Sequence, residues 1–340
     1  MEVSGPCKAS GILISFFISI VFAPQPQQPN SAQSTLRVQS SLVLVDVISQ
    51  AAKSGLPVRD LKKEDFRLFD DRHEVDIASF HSGAHYDTRP VILWLVVICN
   101  EGGKIGGSSQ FVGKEALFRP ALDHLDKRET VGVAHWCDNG ETRFDLPPTE
   151  DRDKPIGVLA ETIKRIPFHT GGDSDLVGEA TFRKMIRNII QDAYRRNPEP
   201  LPVIVFLDGD HTGQPREELD KLVDDFLETS GIAFGIEDSN SPDVPKLAYG
   251  HQSEILHYMA DQTGGQYFSA PPSGYAAALE MILMQLHFRY ELGFVPPKID
   301  GKPHELRVQL TTEAKERYKG SRLSYRPEYV PVRVTPDWAR

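Results

Sequence analysis

The sequence predicts an α/β protein with a doubly wound, mainly parallel sheet, extended by a β-unit that the N- and C-terminal segments form together. Two observations predict the sheet: short apolar runs recur along the middle of the chain, and stretches with helical spacing separate them. Both ends of the chain instead alternate apolar and polar residues, which is typical of strands with one buried face. Neither end is long enough to bury a core alone, so we expect the two to pack together.

The first residues are typical of a targeting segment. Residues 11–23 are continuously apolar but fall short of the roughly 18 residues that a membrane-spanning helix needs. Residues 1–23 are therefore predicted to be a signal peptide or an uncleaved N-terminal anchor, since Ala23 suits cleavage and Pro24 does not. A Pro/Gln-rich linker follows at residues 24–34. Both alternatives predict an extracytoplasmic protein, whether periplasmic, secreted or envelope-anchored.

Three further regions are predicted after the linker. Residues 35–82 form an N-terminal β module, in which strands near 43–47, 66–68 and 77–80 surround a polar turn at residues 70–73. Residues 287–340 form a C-terminal β module, with strands at 290–294, 306–310 and 322–325. The α/β domain lies between them, at residues 90–286.

Within this α/β domain, apolar runs predict strands that are covered on both faces. The predicted strands lie at residues 91–98, 131–137, 203–207, 231–236 and 266–268. The predicted helices lie at residues 114–125, 175–195, 216–229, 253–263 and 275–287. Residues 138–140 (Asp-Asn-Gly) predict a hairpin that adds one antiparallel edge strand.

The composition excludes several classes of protein. The chain has 340 residues and a net charge of −10, so it has no basic excess with which to bind nucleic acid. Hydrophobic residues make up 40%, which argues against global disorder and against a multi-pass membrane protein. Three cysteines are too few for a disulfide scaffold, and no CxxC pair suggests a structural zinc site.

Residues 90–286 resemble a von Willebrand factor A domain, and the chain from residue 35 onward is similar to secreted acidobacterial proteins that carry a related domain. Three passages carry the likeness: residues 42–80, residues 203–213 (VIVFLDGDHTG) and residues 286–329. The resemblance implies binding of a protein partner at the carboxyl ends of the parallel strands. It also implies an adhesion site for Mg²⁺ or Ca²⁺ at that edge, where doubly wound sheets in general bind ligands.

The adhesion motif is degraded in this chain. In place of Asp-x-Ser-x-Ser after the first strand stand Cys99, Glu101 and Gly103. The threonine expected after Gly-Gly in the second loop is replaced by Asp173, and only Asp208 of the third loop is retained. The candidate binding residues are Cys99, Glu101, Gly103, Asp173, Asp208 and Asp210.

Two interpretations of these loops stay open. In the first, Glu101, Asp173 and Asp208 form a rebuilt carboxylate site for Mg²⁺ or Ca²⁺, and the chain is a cation-dependent adhesion protein. In the second, metal binding is lost, because a thiol is a poor ligand for these ions, and the loops bind a protein directly. We favour the second, in a non-enzymatic binding protein without a cofactor; a purely structural envelope component is a further alternative.

The cysteines also allow several interpretations. Cys99 and Cys137 fall at the carboxyl ends of strands that should be neighbours, so they are candidates for a disulfide in an oxidising compartment. Two buried thiols would fit the same positions. The enzyme alternative is a Cys-dependent hydrolase with His135 or His124 as its base.

Overall fold

The computed structural model describes residues 42–85, 88–99, 118–137, 141–165, 181–190, 200–207, 220, 223–224, 226–227, 230–238 and 255–331. The targeting segment and the linker predicted at residues 1–34 lie outside this part of the chain. Within the described ranges, no helix is both long and apolar enough to cross a membrane.

A six-stranded sheet forms the centre of the fold, in the order β10-β9-β8-β5-β6-β7. Its strands are β5 (Val91–Cys99), β6 (Thr130–Cys137), β7 (Thr142–Thr149), β8 (Leu201–Leu207), β9 (Ile232–Asp238) and β10 (Tyr267–Ala270). All neighbouring pairs are parallel apart from β6 and β7. The fold class is therefore confirmed, together with the antiparallel edge strand.

Helices cover both faces of this central sheet. These helices include α1 (Arg119–Leu122), α2 (Asp153–Arg165), α3 (Ile255–Thr263) and α4 (Tyr275–His287), and residues 181–190 are also helical. A further helix, α5 (Thr312–Arg317), packs instead in the core of the β-unit. Successive residues of β5 enter two different cores: Leu95 packs in the core with α1, α2 and α4, and Val96 in the core with α3 and residues 181–190. Burial on both faces explains why the strand is continuously apolar.

Two of these helices are absent from the sequence prediction. α2 buries Pro155, Leu159 and Thr162, which have helical spacing but include only one large apolar residue. The carboxylate of Asp151 accepts the backbone N–H groups of residues 153 and 154 and so begins the helix. α5 buries only Ala314. A hydrophobic pattern cannot identify helices that bury so little apolar surface.

The two ends of the chain form the β-unit, which consists of two four-stranded antiparallel sheets. One has the order β13-β1-β11-β4 and the other the order β14-β12-β2-β3. The strands are β1 (Val43–Gln50), β2 (Phe66–Asp70), β3 (His73–Val75), β4 (Ser79–Ser82), β11 (Tyr290–Phe294), β12 (His304–Leu310), β13 (Arg322–Ser324) and β14 (Glu328–Tyr329). Each sheet takes strands from both segments, and their apolar faces share one core.

The N-terminal module differs from the prediction in one connection. The sequence suggested strands at 66–68 and 77–80 on either side of a polar turn. In the structure β2 pairs with β3 across a two-residue turn, in which Asp71 and Arg72 have φ angles of 44° and 70°. The segment near residue 80 forms β4, which pairs with β11 in the other sheet.

A cluster of buried charges joins the β-unit to the central sheet, and we call it the charged junction: Asp46, Arg89, Arg289, Glu291 and Arg326. Arg289 donates to Asp46 at 2.8 Å, and Arg89 bridges the carboxylates of Asp46 and Glu291. Arg326 donates to the backbone carbonyls of residues 44 and 227. These contacts connect β1 and β11 to the residues just before β5 and just after α4.

Candidate functional site at the carboxyl edge of the central sheet

The central sheet has its topological switch point between β5 and β8. From β5 the chain continues to β6 on one side, and β8 then pairs with the other side of β5. Val97 lies opposite Leu207, and Cys99 lies opposite Cys137, so all three strands end at one edge of the sheet. We call this the carboxyl edge. Doubly wound sheets open a crevice for ligands at such a point.

Three segments with predicted site residues adjoin the carboxyl edge. One segment leaves the edge after Cys99 and another after Leu207. A third reaches it at Thr181, whose hydroxyl accepts a 3.1 Å hydrogen bond from the indole of Trp136, near the end of β6. The ring of Phe182 packs at 5.0 Å from the same indole. The described ends of all three segments therefore lie near one another.

The predicted ligands themselves lie outside the described residues. These are Glu101, Gly103, Asp173, Asp208 and Asp210. Cys99 is described only as the last residue of β5. The geometry among their side chains therefore stays a prediction, and the described structure supplies the frame that surrounds them.

Cys137 is disulfide-bonded. Cys99 is its Cα partner in the parallel ladder, and it is the candidate for the other half of the disulfide that the sequence offers. His135, Cys137 and Glu141 bring potential ligand atoms together at this edge. A disulfide sulfur is not a thiolate, however, and the thiolate is the form that binds a metal or attacks a substrate.

A buried His–Asp pair lies beside Cys137. His135 Nδ1 is 2.6 Å from Asp145 Oδ2, and its Nε2 is 3.6 Å from Glu141 Oε1. Both His135 and the Asp145 carboxylate are almost fully buried. Carboxylates therefore lie beside both ring nitrogens, and the Asp145 contact joins β6 to β7. The sequence predicts β7 only as an antiparallel edge strand. Its residue pattern does not indicate that the side chain of Asp145 is buried against His135.

His124 lies away from this edge, in a cavity of about 320 Å³ between α4 and the β-unit. Its Nε2 is 3.4 Å from Glu280 on α4. In the same cavity His287 lies 3.7 Å from Glu129, which precedes β6, and Arg59 stacks on the ring of Phe288. The cavity therefore adjoins the start of β6, whereas Cys137 ends that strand, so His124 is not placed to act as its base.

Comparison with known proteins gives no family and no curated relative: no family model matches the chain, and no curated protein matches it. Solved structures match at low identity. The von Willebrand factor type A protein from Catenulispora acidiphila has a TM-score of 0.42 and 11% identity, covering 86% of this chain and 73% of that one. The conserved hypothetical protein BatB from Bacteroides thetaiotaomicron has a TM-score of 0.36 and 14% identity, covering 57% and 97%.

A third similar structure is proximal thread matrix protein 1 from the mussel byssus. It has a TM-score of 0.38 and 12% identity, covering 59% of this chain and 48% of that one. Similarity of this degree transfers neither a ligand nor an activity. The resemblance to secreted acidobacterial proteins stays a prediction.

Proposed function

We propose that this chain is a non-enzymatic, extracytoplasmic binding protein that recognises a protein partner through the loops at the carboxyl edge. One observation carries the proposal. The carboxyl ends of β5, β6 and β8 lie side by side at the topological switch point and adjoin the segments that hold the predicted site residues. This is the position at which the fold class binds its ligands.

The charge of these segments favours a basic partner. Glu101, Asp173, Asp208 and Asp210 bring carboxylates to segments that adjoin one edge. Like charges at close range destabilise one another unless water, a cation or a basic group compensates them. Cys99 replaces the first carboxylate of the adhesion motif, which weakens the case for a cation. Lysine or arginine side chains of a partner supply the compensation directly.

The disulfide supports an extracytoplasmic location. Disulfides persist in oxidising compartments and are rare in the cytosol of most cells. Cys137 is bonded, and the apolar run at residues 11–23 is typical of a secretory signal. The same bond argues against the hydrolase alternative, because it removes the nucleophilic form of Cys137.

The proposal is tested by capture on the immobilised full chain from an extracytoplasmic extract of the source cell. A triple variant, Glu101→Gln with Asp173→Asn and Asp208→Asn, removes three of the four loop carboxylates. A matched control, Glu74→Gln with Glu313→Gln and Glu316→Gln, removes three carboxylates that are exposed elsewhere. We expect a partner that binds wild type and control, is lost with the triple variant, and is released by salt but not by a chelator.

Two results contradict the proposal. Equal retention of every captured protein by the triple variant excludes the loops as the binding surface. Release by a chelator instead favours the cation-dependent adhesion protein.

A further inference from the structure

Three potential metal ligands converge at the end of the β-unit, far from the carboxyl edge in the sequence. Asp70 ends β2, Asp71 lies in the following turn and His304 begins β12. His304 Nδ1 is 3.1 Å from an oxygen of Asp70 and 3.1 Å from an oxygen of Asp71. All three ligand atoms lie within 4.8 Å of one another.

The local backbone directs these groups toward one point. β2 and β12 are antiparallel, with Asp70 opposite Leu306, which brings His304 beside the turn. Asp71 has a left-handed φ of 44°, and its Oδ1 accepts the backbone N–H of Glu305 at 3.1 Å. Its other oxygen, Oδ2, is the one that faces His304. Asp70 and His304 are buried, while Asp71 is exposed, so the cluster opens to solvent on one side.

A carboxylate also lies behind the histidine. His304 Nε2 is 3.2 Å from Asp300 Oδ1, which also accepts the backbone N–H of Lys302. Histidines that bind metal ions commonly donate their second ring N–H to a carboxylate, which sets the tautomer and the ring orientation. Asp300 stands in that position and leaves Nδ1 to face Asp70 and Asp71.

Tyr329 on β14 lies on the buried side of the cluster. Its ring is 5.4 Å from the ring of His304. Burial raises the pKa of Tyr329, and a side-chain hydrogen bond with Asp70 and the charges of Asp70 and Asp71 raise it further. Carboxylates that bind metal ions are commonly hydrogen-bonded by a neighbouring side chain, and Tyr329 is such a neighbour for Asp70.

We propose that Asp70, Asp71 and His304 bind a divalent cation of the zinc type, with Asp300 as the residue that orients His304. Zinc accepts nitrogen and carboxylate oxygen at about 2.0–2.2 Å, and ligands at that distance from a tetrahedral ion lie about 3.3 Å apart. The two 3.1 Å separations around His304 Nδ1 fit that spacing. Mg²⁺ and Ca²⁺ prefer oxygen ligands throughout, so the imidazole favours a transition metal.

The test is a calorimetric titration of chelator-treated full chain with Zn²⁺. Asp71→Asn is the diagnostic variant, because asparagine tolerates the left-handed backbone and keeps the oxygen that accepts the N–H of Glu305. We expect one saturable site in the wild type and at least a tenfold loss of affinity in Asp71→Asn. Asp300→Asn should weaken binding by about 10- to 100-fold, as loss of an orienting carboxylate does.

Two controls separate this site from other parts of the chain. Glu74→Gln removes an exposed carboxylate of the same hairpin that is paired with Arg67, and it should leave Zn²⁺ affinity unchanged. Asp208→Ala should also leave it unchanged, because that residue belongs to the proposed partner-binding loops. Absence of a saturable site, or wild-type affinity in Asp71→Asn, overturns the proposal and leaves His304 as a histidine held by direct hydrogen bonds to its carboxylates.

Discussion

The central sheet and the charged junction are both buried, but they bury different chemistry. β5 packs alternate apolar side chains into two cores and needs no polar partner for any of them. The junction instead buries Asp46, Glu291, Arg289 and Arg326 and half-buries Arg89, and Arg289 is only 1% exposed. Apolar burial tolerates many arrangements of similar volume, whereas a buried charge needs a particular partner. We therefore expect the junction to determine how the β-unit is attached to the sheet.

The largest effect should follow from breaking the junction with Asp46→Ala. Arg289 would lose its carboxylate and Arg89 one of its two, which leaves buried positive charge uncompensated. We expect a loss of about 3–5 kcal/mol in the free energy of unfolding, measured with urea at pH 7. Glu74→Gln, which breaks an exposed ion pair, is the control and should leave stability close to wild type. A loss from Asp46→Ala below about 1 kcal/mol would contradict this role.

A matched substitution in the central sheet should lower the free energy of unfolding by a similar amount, but for a different physical reason. Leu95→Ala removes a side chain that is 0% exposed, and we expect a loss of about 2–5 kcal/mol from burial and the remaining cavity. Because no charge is involved, this loss should stay the same between pH 3 and pH 7. A strong pH dependence would show that the two regions are not separable.

Loss of the disulfide at the carboxyl edge should lower the free energy of unfolding by less than the two substitutions above. In a Cys7→Ser chain purified from an oxidising compartment, Cys99 and Cys137 should show no free thiol under denaturing conditions. Reduction should lower the free energy of unfolding by about 2–4 kcal/mol. Titration of two free thiols in that protein would rule out the bridge.

The smallest effect concerns pH. Burial raises the pKa of Asp46, but Arg89 and Arg289 outweigh burial and hold the carboxyl pKa below its ordinary value. The unfolded chain therefore binds this proton first, so the contribution of Asp46 is complete above about pH 4 and declines as pH falls through the folded pKa. We expect wild type to lose up to about 1.4 kcal/mol per pH unit there relative to Asp46→Asn. Parallel stability curves in acid would contradict the assignment.

The sequence predicts those parts of the molecule that follow from periodicity. Continuous apolar runs identify the strands of the central sheet because both faces of it are covered. The same logic fails for α2, which buries a proline and a threonine, and for α5, which buries one alanine. Short strands such as β3 are also ambiguous, since their partners depend on contacts that are distant in the chain.

Buried polar groups are the part that periodicity cannot predict. Asp46 and Arg289 are separated by 243 residues, and Asp70 and His304 by 234. Each pair forms only when strands from the two ends of the chain come together. A sequence shows that such residues interrupt an apolar pattern, but it does not show which of them meet. The edge at which the loops gather was predictable, because parallel strands and their connections determine it.

The central claim is that the carboxyl edge binds a protein partner without a metal ion, and titration of chelator-treated protein with Mg²⁺ and Ca²⁺ tests it most directly. We expect millimolar ion to produce little heat and no appreciable rise in melting temperature, in the wild type and in Asp208→Ala alike. A one-to-one isotherm with micromolar affinity that Asp208→Ala abolishes would contradict the claim and identify the chain as a cation-dependent adhesion protein.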